Sequence, residues 1–333
     1  CKLLTSPMPH ARVVSVDASE ALAMPGVEGI LRADEVTPVQ APQETILTDE
    51  PLFVGQPILA VAAVDEATAA EALEKIRVEY EPLDFTVDPL ESLFPGGKNA
   101  RVDGNVAGFG QMQDIKWSAQ DFAGAGEDVL PEGQATQEWS YGDVEAALAS
   151  ADLVLDETFV TQGISHHSME PRSCMAYWQN GKCFLHASCQ SGSFPIADTA
   201  RLVGLENTTD LVFITEFCGG GFGSKGSSYP IMAVPALMSR KLNNRPVMLR
   251  ISRHEEYYIG SARHGFQGRL RMGFREDGRL LAVDLYVLQE NGPTTGFTDW
   301  RSAADAISIV HSPLAMRFRG IPVMTNTPPR GPQ

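Results

Sequence analysis

The pattern of apolar and polar positions predicts two strands and a helix within the first hundred residues. The apolar run 54–61 is typical of a strand, and residues 77–80 alternate as a second one. Residues 66–76 are rich in Ala and Glu and predict a helix, for which Asp65 provides an N-terminal cap. The first part of the chain therefore reads as mixed α and β structure.

The second part of the chain predicts hairpins interspersed with helices. Asn180-Gly181 and Asp277-Gly278 are turn pairs between apolar runs, and each predicts a β-hairpin. The mixture favours an α+β fold over a doubly wound parallel sheet. The hairpin strands are 174–178 with 183–187 and 270–274 with 280–288, the helices are 144–150, 197–205 and 230–242, and the other strands are 153–161, 211–217 and 246–252.

A stretch of weak periodicity, rich in Gly, Asp and Gln, runs from about residue 95 to residue 141. Long segments without periodicity are typical of connectors or surface excursions. We therefore predict one domain at 1–95, a connector at 96–140 and a second domain at 141–333. The second domain is expected to be incomplete at its C-terminus, because the sequence reaches Gln333 in a proline-rich stretch with no closing element.

Composition and charge exclude some classes of partner. The 333 residues are 43% hydrophobic and carry a formal net charge of −16, which argues against nucleic acid or an anionic membrane surface as partner. The longest apolar runs, such as 57–64, are far shorter than the ~20 residues of a membrane span. Since the sequence starts with Cys1 and not Met, we expect it to be a piece of a longer polypeptide.

The cysteines point to a reducing, cytoplasmic location. There are five of them, none in a C-x-x-C pair, which is typical of unpaired thiols. They also argue against an iron–sulfur cluster held by this chain, since such a cluster usually needs four clustered thiolates. Cys183 and Cys189 on a strand would face away from His186, so we predict no metal site there.

The segment Gly219 to Lys225, with the sequence GGGFGSK, is the strongest candidate for chemistry. It lies between a predicted strand and a predicted helix, where backbone N–H groups can bind an anion or a metal-bound oxygen. Neither nucleotide pattern fits, because Ser224 separates Gly223 from Lys225 and also stands where the dinucleotide pattern needs its last glycine. A plain structural turn is the alternative.

Several motifs in the same order resemble the molybdenum hydroxylases, the family of xanthine dehydrogenase and aldehyde oxidoreductase. The glycine segment resembles the family's GGGFGGK, and His167-Ser168-Met169-Glu170-Pro171 is similar to its HxPMEP. The resemblance covers the whole chain and implies a small N-terminal α/β hammerhead domain, followed by the first half of a molybdopterin-binding domain. The other matching segments are 4–13, 53–58, 78–83, 251–253, 262–264 and 323–326.

The resemblance implies a molybdenum ion on a pyranopterin, in the cytosine dinucleotide form, with no direct protein ligand from this chain. It implies an enzyme that inserts water-derived oxygen at an electron-poor carbon of an N-heterocycle or aldehyde. Electrons would pass to an iron–sulfur and a FAD subunit or domain, since this chain resembles neither. The remaining C-terminal part of the large subunit would be a further partner.

The resemblance also assigns roles around the cofactor. Gln190 falls where the family has an amide that donates to the apical oxo ligand, which a neutral side chain does without adding charge. Gly220, Gly221 and Gly223 fall in the cofactor-binding loop, and the N–H of Gly223 is expected close to a cofactor oxygen. Phe222 is expected to form a wall of the substrate pocket. The alternatives are a strand-end amide for Gln190 and ordinary core packing for Phe222.

Two charged residues have open interpretations. Arg263 falls where some members of the family stabilise negative charge on the substrate. The alternative for Arg263 is an ion pair with Glu255 or Glu256. Glu170 is expected to support the pocket or the cofactor, and a structural hydrogen bond is its alternative.

The sequence departs from the family at two places. Gly226 stands where purine-oxidising members have Glu, so xanthine is not the expected substrate. Arg330-Gly331 is offset by four residues from the position of the family's Arg-Gly pair and is not equated with it. The general-base glutamate of the family falls outside this chain, so we expect the chain alone to be inactive. A non-catalytic paralogue or assembly scaffold is the alternative, and a nucleotide-dependent dehydrogenase is a weaker one.

Overall fold

The computed structural model describes residues 1–39, 43–107, 111–123, 125–126, 128–294 and 301–331. Gln333, the predicted end of the second domain, lies outside these ranges. None of the helices within them is both long and apolar enough to span a bilayer. Within the described residues the strands are β1 Lys2–Thr5, β2 Ala11–Asp17, β3 Val27–Leu31, β4 Pro57–Ala63, β5 Arg77–Pro82, β6 Val106–Ala107, β7 Met112–Gln113, β8 Gln137–Tyr141, β9 Leu153–Thr161, β10 Ser173–Gln179, β11 Lys182–Ala187, β12 Leu211–Ile214, β13 Val247–Arg250, β14 Gly265–Phe274, β15 Leu280–Glu290 and β16 Ala315–Val323.

Most of the helices are short. Some begin at a side-chain cap that the sequence already indicates, such as Asp65, which accepts from the N–H of Thr68 at 2.8 Å. The helices are α1 Ser19–Leu22, α2 Glu66–Glu74, α3 Pro89–Leu93, α4 Ala119–Ala123, α5 Val144–Ala149, α6 Ile196–Leu202, α7 Ala233–Lys241, α8 Arg253–Ile259 and α9 Ser302–His311, with 3₁₀ turns at Ala33–Glu35, Thr208–Asp210 and Pro230–Met232. The predicted α+β class is confirmed.

The chain divides into two compact units, and neither unit is one continuous stretch of sequence. Unit 1 comprises Cys1–Asp84, Ser165–Ala262 and Asn326–Gln333, and unit 2 comprises Phe85–Ile164 and Arg263–Thr325. Each unit is therefore assembled from segments distant in sequence. The domain limits given above remain a prediction.

Unit 1 combines three sheets. The strand order is β1-β4-β3 in the first sheet, β2-β5 in the second and β12-β11-β10-β13 in the third. In the third sheet β10 and β11 form the hairpin predicted at Asn180-Gly181, and β12 runs parallel to β11. Helix α7 lies against this sheet, where the indole N–H of Trp178 donates to the carbonyl of Ala236 at 2.8 Å. Leu3 and Leu31 share one core with Met232 and Val234, so the small N-terminal sheet packs directly on this layer.

Unit 2 is built on a single seven-stranded sheet. Its order is β7-β6-β16-β15-β14-β9, and β8 also pairs with β16. The hairpin predicted at Asp277-Gly278 is present as β14 and β15. The expectation of a surface segment from about residue 95 to residue 141 is wrong at Val106, Ile115 and Trp117, which are buried with Tyr286 and Leu288 in one core. Their burial depends on residues far along the chain, so local periodicity does not indicate it.

A row of alternating charges crosses this sheet. Asp156, Arg271, Asp284 and Arg317 are opposite one another on β9, β14, β15 and β16. Asp284 is only 3% exposed, and its carboxylate accepts from Arg317 Nε at 3.0 Å and Arg319 Nη2 at 3.1 Å. Burial raises the pKa of Asp284, but the hydrogen bonds and charges of the two arginines outweigh it and hold the pKa below its ordinary value.

We expect Asp284→Asn to destabilise the protein at neutral pH by about 2 kcal/mol, because three partly exposed arginines lose their common carboxylate. A lowered pKa means that the carboxylate stabilises the fold above its ordinary pKa and stops doing so as the pH falls through the folded pKa. The difference in urea midpoint between wild type and variant should therefore narrow between about pH 5 and about pH 2. Tryptophan fluorescence provides the measurement.

Glu157→Gln is the matched control for this experiment. Glu157 is exposed on the neighbouring strand β9, and it forms no ion pair with any residue in the described ranges. We expect its substitution to leave the urea midpoint nearly unchanged at every pH. Equal effects of the two variants would contradict the importance of the charge row.

Candidate functional site

The glycine segment forms a loop of unusual backbone conformation in unit 1. Gly220 and Gly223 have φ angles of 99° and 90°, and Phe222 has a φ of 48°. A left-handed conformation is uncommon for a bulky residue, so the surroundings must hold it in place. The side chain of Phe222 is 58% exposed, which makes core packing the wrong alternative for this residue.

Gln190 binds the loop through its side-chain oxygen. Oε1 accepts from the N–H of Gly223 at 3.0 Å and from the N–H of Lys225 at 3.2 Å. Two N–H donors require an oxygen at this position, which fixes the orientation of the amide. Within the described ranges Nε2 has no hydrogen-bond partner, and the residue is exposed. The amide N–H groups are therefore available to a ligand.

Two glycines make room for this arrangement. A Cβ atom on Gly221 would lie 2.2 Å from Gln190 Oε1, and one on Gly219 would lie 2.6 Å from the Cβ of Glu170. Both distances are impossible for real side chains. Gly221 is thus required for the approach of Gln190, and Gly219 for the approach of Glu170.

Lys225 anchors the end of the loop from inside the protein. The residue is fully buried, and Nζ donates to the carbonyl of Glu170 at 2.6 Å and to Ser188 Oγ at 2.8 Å. A buried ammonium needs such partners because burial without them is costly. The lysine ties the loop to the start of β10 and the end of β11.

Glu170 completes this set of contacts. Its Oε2 atom accepts from the N–H of Gly219 at 2.7 Å and from Ser188 Oγ at 2.6 Å, and lies 3.3 Å from Lys225 Nζ. Burial raises the pKa of Glu170, but these three donors outweigh it and lower the pKa overall. The carboxylate of Glu170 thus holds the loop, and its support of the pocket or the cofactor stays a prediction.

A buried group of charges lies behind the loop. Arg172 and Glu256 are 1% and 0% exposed. The Arg172 guanidinium donates to Glu256 Oε1 and to both the carbonyl and Oγ of Ser224, and it lies over the ring of Tyr229 at 4.9 Å. His166 Nε2 is 2.9 Å from Glu256 Oε1. Burial raises the pKa of Glu256, but the contacts with His166 and Arg172 outweigh it and hold the pKa below its ordinary value, so the carboxyl group stays ionised at neutral pH.

Sequence reasoning did not assign Arg172, Glu256 or His166 to the site. Arg172 directly follows the quoted motif that ends at Pro171, which was the only local signal. Its partners Glu256 and Ser224 are 84 and 52 positions away along the chain, so no spacing rule brings them together.

Arg263 belongs to a different unit from the other predicted site residues. Gln190, Glu170 and the glycine loop belong to unit 1, whereas Arg263 belongs to unit 2. Arg263 is exposed, and its N–H donates to the carbonyl of Ile164 at 2.8 Å. The carboxylate of Glu256 binds Arg172 and His166, and an ion pair of Arg263 with Glu255 or Glu256 stays an alternative. A charge-stabilising role for Arg263 stays a prediction.

Gly226 and the Arg330-Gly331 pair both lie in unit 1. The N–H of Gly226 donates to the carbonyl of Gly223 at 3.0 Å and closes the turn after the loop. Gly331 donates to the carbonyl of Ala262 at 2.9 Å, so the pair runs beside residues 261–262. A Cβ on Gly331 would lie 2.9 Å from the Cβ of Ser261, which explains a glycine there.

The loop retains several donors that the protein itself does not use. Within the described residues the N–H groups of Gly220, Gly221 and Phe222 form no backbone hydrogen bond. The N–H of Gly223 donates to Gln190 Oε1 at 3.0 Å, and its approach to a cofactor oxygen stays a prediction. A groove of about 250 Å³ lies on the strands beside Glu170 and Ser188, and no residue of the loop lines it. Neutral donors of this kind suit a ligand rich in acceptor oxygens.

Two family models match the sequence of this chain. The model of a molybdopterin cofactor-binding domain matches residues 127–333, more than half of the chain. The model of the a/b hammerhead domain of aldehyde oxidase and xanthine dehydrogenase matches residues 1–84. The chain belongs to the molybdenum hydroxylase family. Both family models confirm the resemblance that the sequence motifs indicate.

Two curated relatives of the chain are longer proteins. Rat aldehyde oxidase 3 is 28% identical over 88% of this chain and 20% of its own length. The nicotinate dehydrogenase large molybdopterin subunit of Eubacterium barkeri is 29% identical over 86% of this chain and 62% of its own length. The chain thus spans less than two thirds of either relative.

Solved structures confirm the fold of this family member. Quinoline 2-oxidoreductase from Pseudomonas putida 86 superposes with a TM-score of 0.76 over 99% of this chain and 41% of its own. Sequence identity is 24%, so this likeness concerns the fold alone.

We expect Gly221→Ala to displace Gln190 from the loop, because the new methyl group would occupy the position of Oε1. Loss of these hydrogen bonds should speed amide exchange at Gly223 and Lys225 by about tenfold each. Gly192→Ala is the matched control, since its Cβ would meet only Thr215 Cγ2 at 3.9 Å. Hydrogen exchange followed by NMR provides the measurement, and unchanged exchange at both amides in Gly221→Ala would contradict the contact.

Proposed function

We propose that the protein is part of the large subunit of a molybdenum hydroxylase and oxidises a small N-heterocycle or aldehyde. The main observation behind this proposal is the orientation of the Gln190 side chain. Its oxygen accepts two hydrogen bonds from the loop, and its amide N–H groups are left for a ligand. The family match, to a molybdopterin cofactor-binding domain, supports molybdenum-pterin as that ligand. The names of two relatives, aldehyde oxidase and nicotinate dehydrogenase, support the substrate class.

The residues of the loop fit a molybdenum-pterin group. Gln190 Nε2 and the unused N–H groups of Gly220, Gly221 and Phe222 provide neutral donors for its oxygens. When bound, the cofactor supplies the oxidation of an electron-poor carbon with oxygen derived from water. The chain's own residues orient the group and limit the access of water.

Phe222 is proposed as a wall of the substrate site. Its ring is held outward by a left-handed backbone, at an energetic cost, and is exposed to a ligand. A flat heterocycle or aromatic aldehyde would pack on such a ring. Gly226, which replaces the carboxylate of purine-oxidising members, supports a substrate other than xanthine.

We further propose the cytosine dinucleotide form of the cofactor, iron–sulfur and FAD partners, and a cytoplasmic location. The free cysteines support the location, since unpaired thiols are typical of a reducing compartment. The general base would come from outside this chain, because its position in the family falls beyond the matched motifs. The proposed function does not depend on these additional points.

The proposal is tested on the protein isolated with its natural partners. We expect about one molybdenum per chain by plasma mass spectrometry, and oxidation of an aldehyde or nicotinate-type heterocycle with ¹⁸O incorporated from water. An assembly that lacks molybdenum would favour the scaffold alternative. Reduction of NAD without molybdenum would favour the dehydrogenase alternative.

We expect Gln190→Ala to lower turnover per bound molybdenum by roughly 10- to 100-fold, as for other groups that orient a metal centre. The loss arises because the cofactor loses a neutral donor and the loop loses the acceptor for two N–H groups. Gln179→Ala is the matched control, because Gln179 is exposed at the end of β10. Steady-state kinetics normalised to molybdenum content provides the measurement. Full activity of Gln190→Ala would rule out its assigned role.

A further inference from the structure

One peptide group connects the buried charges to Gln190. The carbonyl of Ser224 accepts from Arg172 Nη2, and the N–H of the same peptide unit, on Lys225, donates to Gln190 Oε1 at 3.2 Å. A trans peptide is planar, and its C=O and N–H point in opposite directions. The direction in which Arg172 holds the carbonyl therefore sets the direction of the N–H toward Gln190.

We propose that Arg172 is a positioning residue that sets the orientation of the Gln190 side chain through the Ser224–Lys225 peptide. The inference rests on the proposed function, since the oriented amide is the one that would face the cofactor. Arg172 itself touches neither cofactor nor substrate in this assignment. It acts on the loop from the buried side.

The surroundings of Arg172 fit a role in fixing geometry. Two hydrogen bonds join its guanidinium to Ser224, while another reaches Glu256. The backbone N–H of Arg172 also donates to Glu256 Oε2 at 2.8 Å, and the ring of Tyr229 lies below the guanidinium. A planar group held at so many points has one available orientation.

Stability alone does not account for this cluster. Replacing a buried ion pair by apolar residues of similar volume is often neutral or stabilising, because desolvation offsets the attraction between the charges. The loop, in contrast, holds the bulky Phe222 in a left-handed conformation that needs external restraint. The cluster restrains the loop two residues after Phe222, at Ser224.

His166 and Glu256 complete the positioning group. Glu256 lies on α8, which Ser252 caps by accepting from the N–H of Glu255 at 3.2 Å. His166 Nε2 contacts the carboxylate oxygen that also binds Arg172. Arg172 is thus fixed by a residue of a capped helix. Through Arg172 the loop is held by a helix and not by another loop.

Arg172→Lys is the decisive variant. Lysine keeps the positive charge beside Glu256, but a single ammonium does not reproduce the planar fork that also reaches Ser224. We expect amide exchange at Lys225 and Gly223 to rise by about tenfold, while exchange in β10 and β13 stays unchanged. This measurement is made by NMR or mass spectrometry before the cofactor is loaded.

The holoenzyme supplies a second readout. We expect Arg172→Lys to change the electron paramagnetic resonance signal of the bound molybdenum and to lower kcat by roughly 10- to 100-fold, with a smaller change in KM. Ser224→Ala removes the hydroxyl acceptor but keeps the peptide, so it should leave the exchange of Lys225 nearly unchanged.

Arg240→Lys is the matched control for the loss of an arginine. Arg240 also donates to a carbonyl, that of Val203 at 3.0 Å, and lies over the ring of Trp178 at 4.0 Å. We expect no change at the loop amides or in the molybdenum signal. Equal effects of Arg240→Lys and Arg172→Lys would overturn the inference.

Unchanged exchange at Lys225 in Arg172→Lys would also overturn the positioning role, whatever the activity. A wild-type assembly without molybdenum would refute the proposed function instead, while the exchange experiment would still decide whether Arg172 orients the loop. The two proposals therefore fail through different measurements.

Discussion

The close approach of the Gln190 side chain to the backbone of the glycine loop is the constraint on which the site depends. Oε1 lies within hydrogen-bonding distance of two N–H groups, and this leaves no room for a Cβ at Gly221. The turn that presents both N–H groups to one oxygen uses left-handed conformations at Gly220 and Gly223. Phe222, between them, is left-handed as well, which directs a bulky residue outward at a cost in backbone energy.

Two buried cations hold this loop from behind. Lys225 binds the carbonyl of Glu170 and Ser188, and Arg172 binds Ser224. Each cation is neutralised by a carboxylate, Glu170 for Lys225 and Glu256 for Arg172. Charges of this kind are expensive to bury unless every partner is in place, so the loop and its supporting strands are expected to order together.

The sequence predicted the parts of this structure that depend on neighbours along the chain. Asn180-Gly181 and Asp65 identify a hairpin and a helix start because turn and cap preferences are local. Trp117 lies in a weakly periodic segment and is buried by Tyr286, which no local pattern shows. The glycines of the loop are visible in the sequence itself and Gln190 follows from resemblance to a family, whereas Arg172 and Glu256 meet only through the fold.

This loop differs from the nucleotide loops that its glycines suggest, because two of its backbone N–H groups bind a side chain of the protein. A phosphate loop directs successive N–H groups at an anion, whereas here those of Gly223 and Lys225 bind Gln190. The ammonium of Lys225 is likewise buried among protein acceptors. The donor that remains at this position is Gln190 Nε2, a neutral group at the end of a side chain. A site built in this way favours a ligand whose oxygen needs a directed hydrogen bond but no additional positive charge, as the oxygen of a metal centre does.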